Sequence, residues 1–228
     1  LESKLSYAIT KHEYEQAQQL LDELKPKLSM KHKENIQYVA YTQTIINYKL
    51  GLIDSNRALQ LGIYSFEITR KFDELSFSKI VLSRLECIIA QFISLIFWEQ
   101  GYTSRSILLL ENIITGLSNS KINPKYHYRE LSVLLLTLSY SCNSQRMFSK
   151  AFEYAKQGIA LQFDFYRCNM FPYFLVQKYF IYDCQTLQLD LVKESYRKIY
   201  LLEPLFSKTN DFALENHYRL RFNEEITD

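Results

Sequence analysis

One pattern recurs five times along the chain, in EYEQAQQLLDEL, DSNRALQLGIYS, YTSRSILLLENI, MFSKAFEYAKQG and LVKESYRKIYLL. Each segment places a small residue ahead of apolar residues at helical spacing. The small residues are Ala17, Ala58, Ser106, Ala151 and Ser195, separated by 41, 48, 45 and 44 residues. A small side chain at a fixed place lets one helix approach another closely. Recurrence at a long, nearly constant period marks a stacked array, in which each unit buries its apolar face only against its neighbours. The pattern therefore predicts an all-α chain of about five helical hairpins and a closing helix, forming one domain over residues 1–228. Such arrays present an extended concave surface, which suits binding better than catalysis.

Composition agrees. Hydrophobic residues make up 47% of the 228 positions, enough for a sizeable core. Five glycines and four prolines leave little material for irregular loops. The net charge of +2 points to neither nucleic acid nor an anionic membrane as a direct partner of this segment. The most apolar run, from Ile88 to Trp98, is broken by Gln91 and too short to span a bilayer. Cys87, Cys142, Cys168 and Cys184 show no C-x-x-C spacing, which fits reduced thiols in the cytoplasm.

Breakers and caps set the expected helices. Helices are predicted over 1–10, 13–24, 33–50, 55–71, a long one over 73–100, then 103–117, 124–144, 147–163, 169–187, 190–202 and 211–222. Pro26 helps end the second, Gly51 and Gly101 are stop signals, and Pro124 suits a first helical turn.

Sites of chemistry are sparse. There is no glycine-rich phosphate loop and no G-x-S-x-G. His12, His32, His127 and His217 lack a second ligand at metal spacing, so no metal or other cofactor is expected. The informative residues are polar ones set amid apolar neighbours on the first helix of each hairpin. Arg84 and Gln91 lie seven apart and share a face. Tyr173 and Gln177 lie one turn apart, as do Gln43 and Asn47, while Thr137 falls close to Tyr140 in the same way. Amide side chains carry both donor and acceptor and so match an extended peptide backbone. An arginine among apolar residues needs a partner, an open groove or a ligand. The expected peptide-binding row is Asn47, Arg84, Gln91, Thr137, Tyr173 and Gln177.

The hairpin MFSKAFEYAKQGIAL resembles tetratricopeptide (TPR) repeats: an aromatic, two residues, alanine, then apolar positions, as in Phe148 with Ala151 and Tyr14 with Ala17. The full W-x-x-L-G-x-x-Y signature is absent and the period exceeds the usual 34 residues. Degenerate, elongated repeats in a chain rich in Lys, Ile, Asn and Tyr resemble the peptide-sensing regulators of low-GC Gram-positive bacteria, the Rgg, PlcR and ComR types. The stretch from Ser139 to Leu220 carries the likeness best: hairpin, hairpin, then the helix DFALENHYRLRF. Gln177 matches a glutamine of the PlcR type, and Thr137 stands where that type has an asparagine that contacts peptide. The resemblance implies a right-handed superhelix of degenerate TPR-like hairpins. It also implies a short hydrophobic signalling peptide as ligand, homodimerisation, and DNA contact only through an N-terminal helix-turn-helix domain ahead of Leu1. Tyr196, Tyr200 and Phe206 are the expected self-association surface. Two other readings stand beside it: a TPR-type interaction scaffold, and a Rap-type phosphatase acting on a response regulator. The coding sequence upstream of Leu1 separates the three.

Overall fold

The computed structural model describes residues 1–165 together with residues 170, 171, 173–175, 177, 178 and 181. The predicted helices over 190–202 and 211–222, Ser195 and the surface of Tyr196, Tyr200 and Phe206 lie outside these. The described residues contain no strand. Their α-helices are α1 (Glu2–Thr10), α2 (Tyr14–Leu24), α3 (Lys33–Lys49), α4 (Ser55–Glu67), α5 (Arg84–Glu99), α6 (Thr103–Ser118), α7 (Tyr128–Ser144) and α8 (Phe148–Asp164). They form four hairpins stacked in chain order, and the described residues between 171 and 181 pack on the last. Phe174, Gln177 and Ile181 there are fully buried.

All four hairpins turn in the same way. A single residue adopts the left-handed conformation after the first helix: His12, Gly51, Gly101 and Arg146, with φ of 62°, 73°, 83° and 57°. The following N–H then reaches back to the carbonyl five residues earlier: Glu13 to Ala8, Leu52 to Asn47, Tyr102 to Phe97 and Met147 to Cys142, at 2.8–2.9 Å. This bond satisfies a carbonyl that the helix end leaves orphaned. Glycine supplies the geometry freely at two turns; histidine and arginine hold it at the other two at a backbone cost.

The small residues do what their recurrence predicts. Ala17, Ala58, Ser106 and Ala151 are all 0–1% exposed. One apolar cluster joins α3 through α8, with Phe66, Phe77, Ile93, Phe97, Leu109 and Leu138 among its fully buried side chains; a smaller one, around Leu5, Leu21 and Ile46, holds the first hairpin.

Three boundaries differ from expectation. The helix predicted from residue 73 begins at Arg84, because Ser83 caps it: the Ser83 hydroxyl accepts from the Glu86 N–H at 3.2 Å, and the Glu86 carboxylate accepts from the Ser83 N–H at 2.7 Å. The preceding residues form a strap laid across α6. Within it Ser76–Lys79 is a 3-10 turn, Phe77 is fully buried, and Phe66, Phe72 and Phe77 pack ring against ring at 5.3–5.4 Å. Arg105 of α6 holds Glu74 of the strap by a two-toothed pair, closest at 2.6 Å, and Asn112 donates to the Glu74 carbonyl at 3.0 Å. Gly116 lets the strap approach, since a Cβ there would lie 2.1 Å from the Phe77 carbonyl oxygen. The helix expected to run to residue 71 ends at Glu67. The helix expected from Pro124 starts at Tyr128, Pro124 opening a 3-10 turn instead.

Candidate functional site

The first helices α5 and α7 run side by side in the same direction, and three polar rungs join them. Arg84 Nε lies 3.2 Å from Glu130 Oε1. Gln91 Nε2 donates to Thr137 Oγ1 at 2.8 Å. Trp98 Nε1 donates to Ser144 Oγ at 3.4 Å. The positions 84, 91 and 98 are spaced by seven, as are 130, 137 and 144, so each rung joins residues 46 apart in sequence. A seven-residue repeat keeps one face of a helix against its neighbour. Successive rungs are about 10 Å apart at the helical rise.

The hydroxyls are set as acceptors. Thr137 Oγ1 gives its proton to the Val133 carbonyl at 2.9 Å, and Ser144 Oγ gives its own to the Ser141 carbonyl at 2.8 Å. Their lone pairs are thereby left for Gln91 and Trp98. The Gln91 carbonyl oxygen accepts nothing from a described residue, so the amide keeps one acceptor open.

A cleft of about 160 Å³ opens beside the first two rungs, lined by Arg84, Cys87, Ile88, Gln91, Arg129, Glu130, Val133 and Leu134. The Glu130 side chain is 8% exposed and that of Arg84 is 60% exposed, so the acid is buried and the base reaches solvent. Arg129 has no ion pair or hydrogen bond with a described residue, leaving the two arginines and one glutamate a net positive charge. Cys87 forms part of the wall. Burial pushes its thiol up to about 12, with Glu130 and Glu86 adding to the effect. It stays protonated and acts as an apolar surface, not a nucleophile.

The N-terminal end of α5 is fixed by a buried acid. Glu86 accepts from the Thr69 hydroxyl at 3.1 Å and pairs with Arg70 at 3.2 Å, besides capping the helix with Ser83. Gln37 of α3 extends the network, donating to Thr69 Oγ1 at 2.8 Å and to the Phe66 carbonyl at 3.2 Å. This clamp sets the position of Arg84.

Of the residues predicted from sequence, Arg84 and Gln91 line the cleft and Thr137 is bonded to it. Asn47 lies in another polar cluster between α2 and α3: its Oδ1 accepts from Gln43 at 3.0 Å, and Gln43 is bonded in turn to Gln18 and Lys25. Tyr173 is half-buried. Gln177 is fully buried and donates to the Ser139 carbonyl at 3.1 Å, while its Oε1 has no partner among the described residues. Sequence reasoning missed Glu130, Arg129, Ile88 and Trp98. Part of the signal was present, since extending the pair 84 and 91 by one heptad reaches Trp98; the facing residues follow only once α7 is set in register with α5.

No family model matches the chain, and no curated protein matches it in sequence. Solved structures do match in fold. The apo form of PlcR from Bacillus thuringiensis superposes with a TM-score of 0.72 at 13% identity, covering 94% of this chain and 75% of that one. PlcR of the same organism in complex with the peptide PapR7 and DNA gives 0.71 at 14% identity, covering 93% and 71%. Kinesin light chain TPR-like repeats from Podospora anserina give 0.60 at 12% identity, covering 91% and 96%. The chain thus has the all-α, TPR-like hairpin fold that PlcR shares. Among the described residues no helix is long and apolar enough to cross a membrane, and no group of three or more His, Cys, Asp and Glu is placed to hold a metal ion.

Proposed function

We propose that this chain is the peptide-sensing domain of a quorum-sensing transcription regulator. It binds a short, largely apolar signalling peptide across its first helices and pairs with a second copy of itself. DNA is reached through a separate helix-turn-helix domain. The observation that carries the reading is the ladder between α5 and α7. It gathers Arg84, Gln91 and Thr137 beside an open cleft, where the Gln91 amide oxygen accepts nothing from a described residue. An extended peptide needs such acceptors and donors for its backbone and apolar walls for its side chains. The fold shared with PlcR, a protein solved with PapR7 and DNA, supports it. The shared fold of kinesin light chain repeats favours a second reading, a scaffold that docks a segment of a partner protein.

The test uses Trp98, the chain's single tryptophan, which forms the third rung. Synthetic uncharged heptapeptide pools rich in Leu, Ile and Phe are titrated while its emission is followed. A saturable change at micromolar peptide, weakened at least tenfold in Gln91→Ala, is the expected result. No change up to millimolar peptide removes the sensor reading and leaves the scaffold.

A further inference from the structure

The ladder is not uniform along its length. Its N-terminal end carries Arg84, Arg129 and Glu130; its middle is the neutral Gln91–Thr137 rung; its far end is uncharged, with large aromatic and aliphatic side chains around the Trp98–Ser144 bond. Ile88 and Val133 line the cleft, and one heptad on stand Leu95 and Tyr140. Leu95, Trp98 and Tyr140 are 37%, 41% and 46% exposed, a high fraction for side chains on packed helices. The arginines are also placed against local electrostatics. Both sit in the first turn of a helix, where the macrodipole disfavours cations. Violations of a local rule without a visible structural gain concentrate at functional sites. Glu130 neutralises one arginine from a buried position, and Arg129 has no ion pair among the described residues.

We infer that the groove reads a peptide with a carboxylate at one end and large apolar side chains at the other, the carboxylate lying on Arg84 and Arg129 and the apolar residues on Leu95, Trp98 and Tyr140. This rests on the proposed peptide-binding role. Guanidinium matches a carboxylate in plane and in hydrogen-bond geometry, and the Arg84 side chain reaches solvent beside its Nε contact with Glu130. The end rungs are fourteen residues apart, about 21 Å of helix. An extended peptide rises about 3.3 Å per residue, so about six residues bridge the two ends. The middle of that peptide passes Gln91, whose free oxygen accepts a backbone N–H.

The carboxylate comes from the peptide's C-terminus or from an acidic side chain at its start, and the test separates them. Peptide pools of six or seven residues are made with Leu-Phe at one end, four randomised uncharged positions, and either a carboxylate or a carboxamide at the other. One set ends in the free or amidated C-terminus; the other begins with acetylated Asp or Asn and is amidated. Each is titrated into the full chain on Trp98 emission, in wild type, Arg84→Gln, Arg129→Gln and the double variant, with thermal melts to confirm folding. In one of the two sets the carboxylate pool binds about tenfold tighter than its amide twin at low salt. That preference shrinks at 1 M salt and vanishes in the double variant. Equal affinity for acid and amide in both sets overturns the inference and leaves peptide binding standing. A preference that survives in the double variant overturns it too. Silence of Trp98 to every pool removes the inference together with the peptide reading.

Discussion

Replacing Gly116 with alanine tests how closely the strap lies on α6. A Cβ at this position would sit 2.1 Å from the Phe77 carbonyl oxygen and 2.3 Å from that of Ile80. Carbon–oxygen contacts settle at about 3.3 Å or more, so both carbonyls must withdraw by about 1 Å. These are backbone atoms flanking a buried aromatic, and they cannot swing aside as a side chain does. Overpacking of this kind costs about 1–3 kcal/mol, and dislodging Phe77 from its ring cluster adds a share of the 1.5–3 kcal/mol (about) that burying such a side chain gives. Alanine returns about 1 kcal/mol through helix propensity. The net loss is about 2 kcal/mol, which for a chain of this size lowers the melting temperature by about 4–8 °C. Gly62→Ala is the control: its Cβ would meet only side-chain atoms, Ile93 Cγ1 at 3.2 Å and Phe92 at 3.4 Å, which shift at small cost. Melting followed by far-ultraviolet circular dichroism reads both variants. A Gly116→Ala protein that melts with wild type or above it refutes the close approach.

Other outcomes follow from the same geometry. Arg146→Gly relieves a left-handed residue at the fourth turn and raises stability by about 0.5 kcal/mol after the extra freedom of the unfolded chain is subtracted; a lower melting temperature contradicts the turn. Burial opposes ionisation of Glu86, yet the Ser83 N–H, Arg70 and Thr69 together hold its carboxyl below the ordinary glutamate range. Its contribution to stability is therefore complete above about pH 4.3 and is lost as pH falls through the lower folded value. Glu86→Gln should flatten that acid limb in denaturant titrations, and an unchanged slope would count against the clamp. Burial raises the Cys87 thiol to about 12 and that of Cys142 to about 11, so iodoacetamide at pH 8 should leave both unmodified in the native protein. Site-resolved mass spectrometry decides this, and early labelling of Cys87 would show its wall to be open.

The sequence carried the architecture because the determinants were local and repeated. The alternation of small and apolar residues marked Ala17, Ala58, Ser106 and Ala151, and all four are buried at helix contacts. The strap was illegible for a specific reason. Asp73 and the apolar residues after it satisfy a helix pattern as well as a strap does, and only the pair Ser83 and Glu86 announces the true start. Among the candidate site residues, period seven fixed which face Arg84 and Gln91 share. Periodicity within one helix does not say which neighbour that face meets. Hence Asn47, with a similar local signature, is found among Gln18, Gln43 and Lys25 of the preceding contact, and Gln177 against the Ser139 carbonyl. Partners such as Glu130 become visible only when two helices are placed in register.

The four hairpin turns share one backbone geometry, whereas the links between hairpins differ: a 3-10 turn at Lys25–Lys27, the strap at 68–83, and a polar loop with a 3-10 turn at Pro124–Tyr126. The α5–α7 rungs span the last of these links, so side chains tie two hairpins together at a place where the connecting chain repeats no geometry of its own.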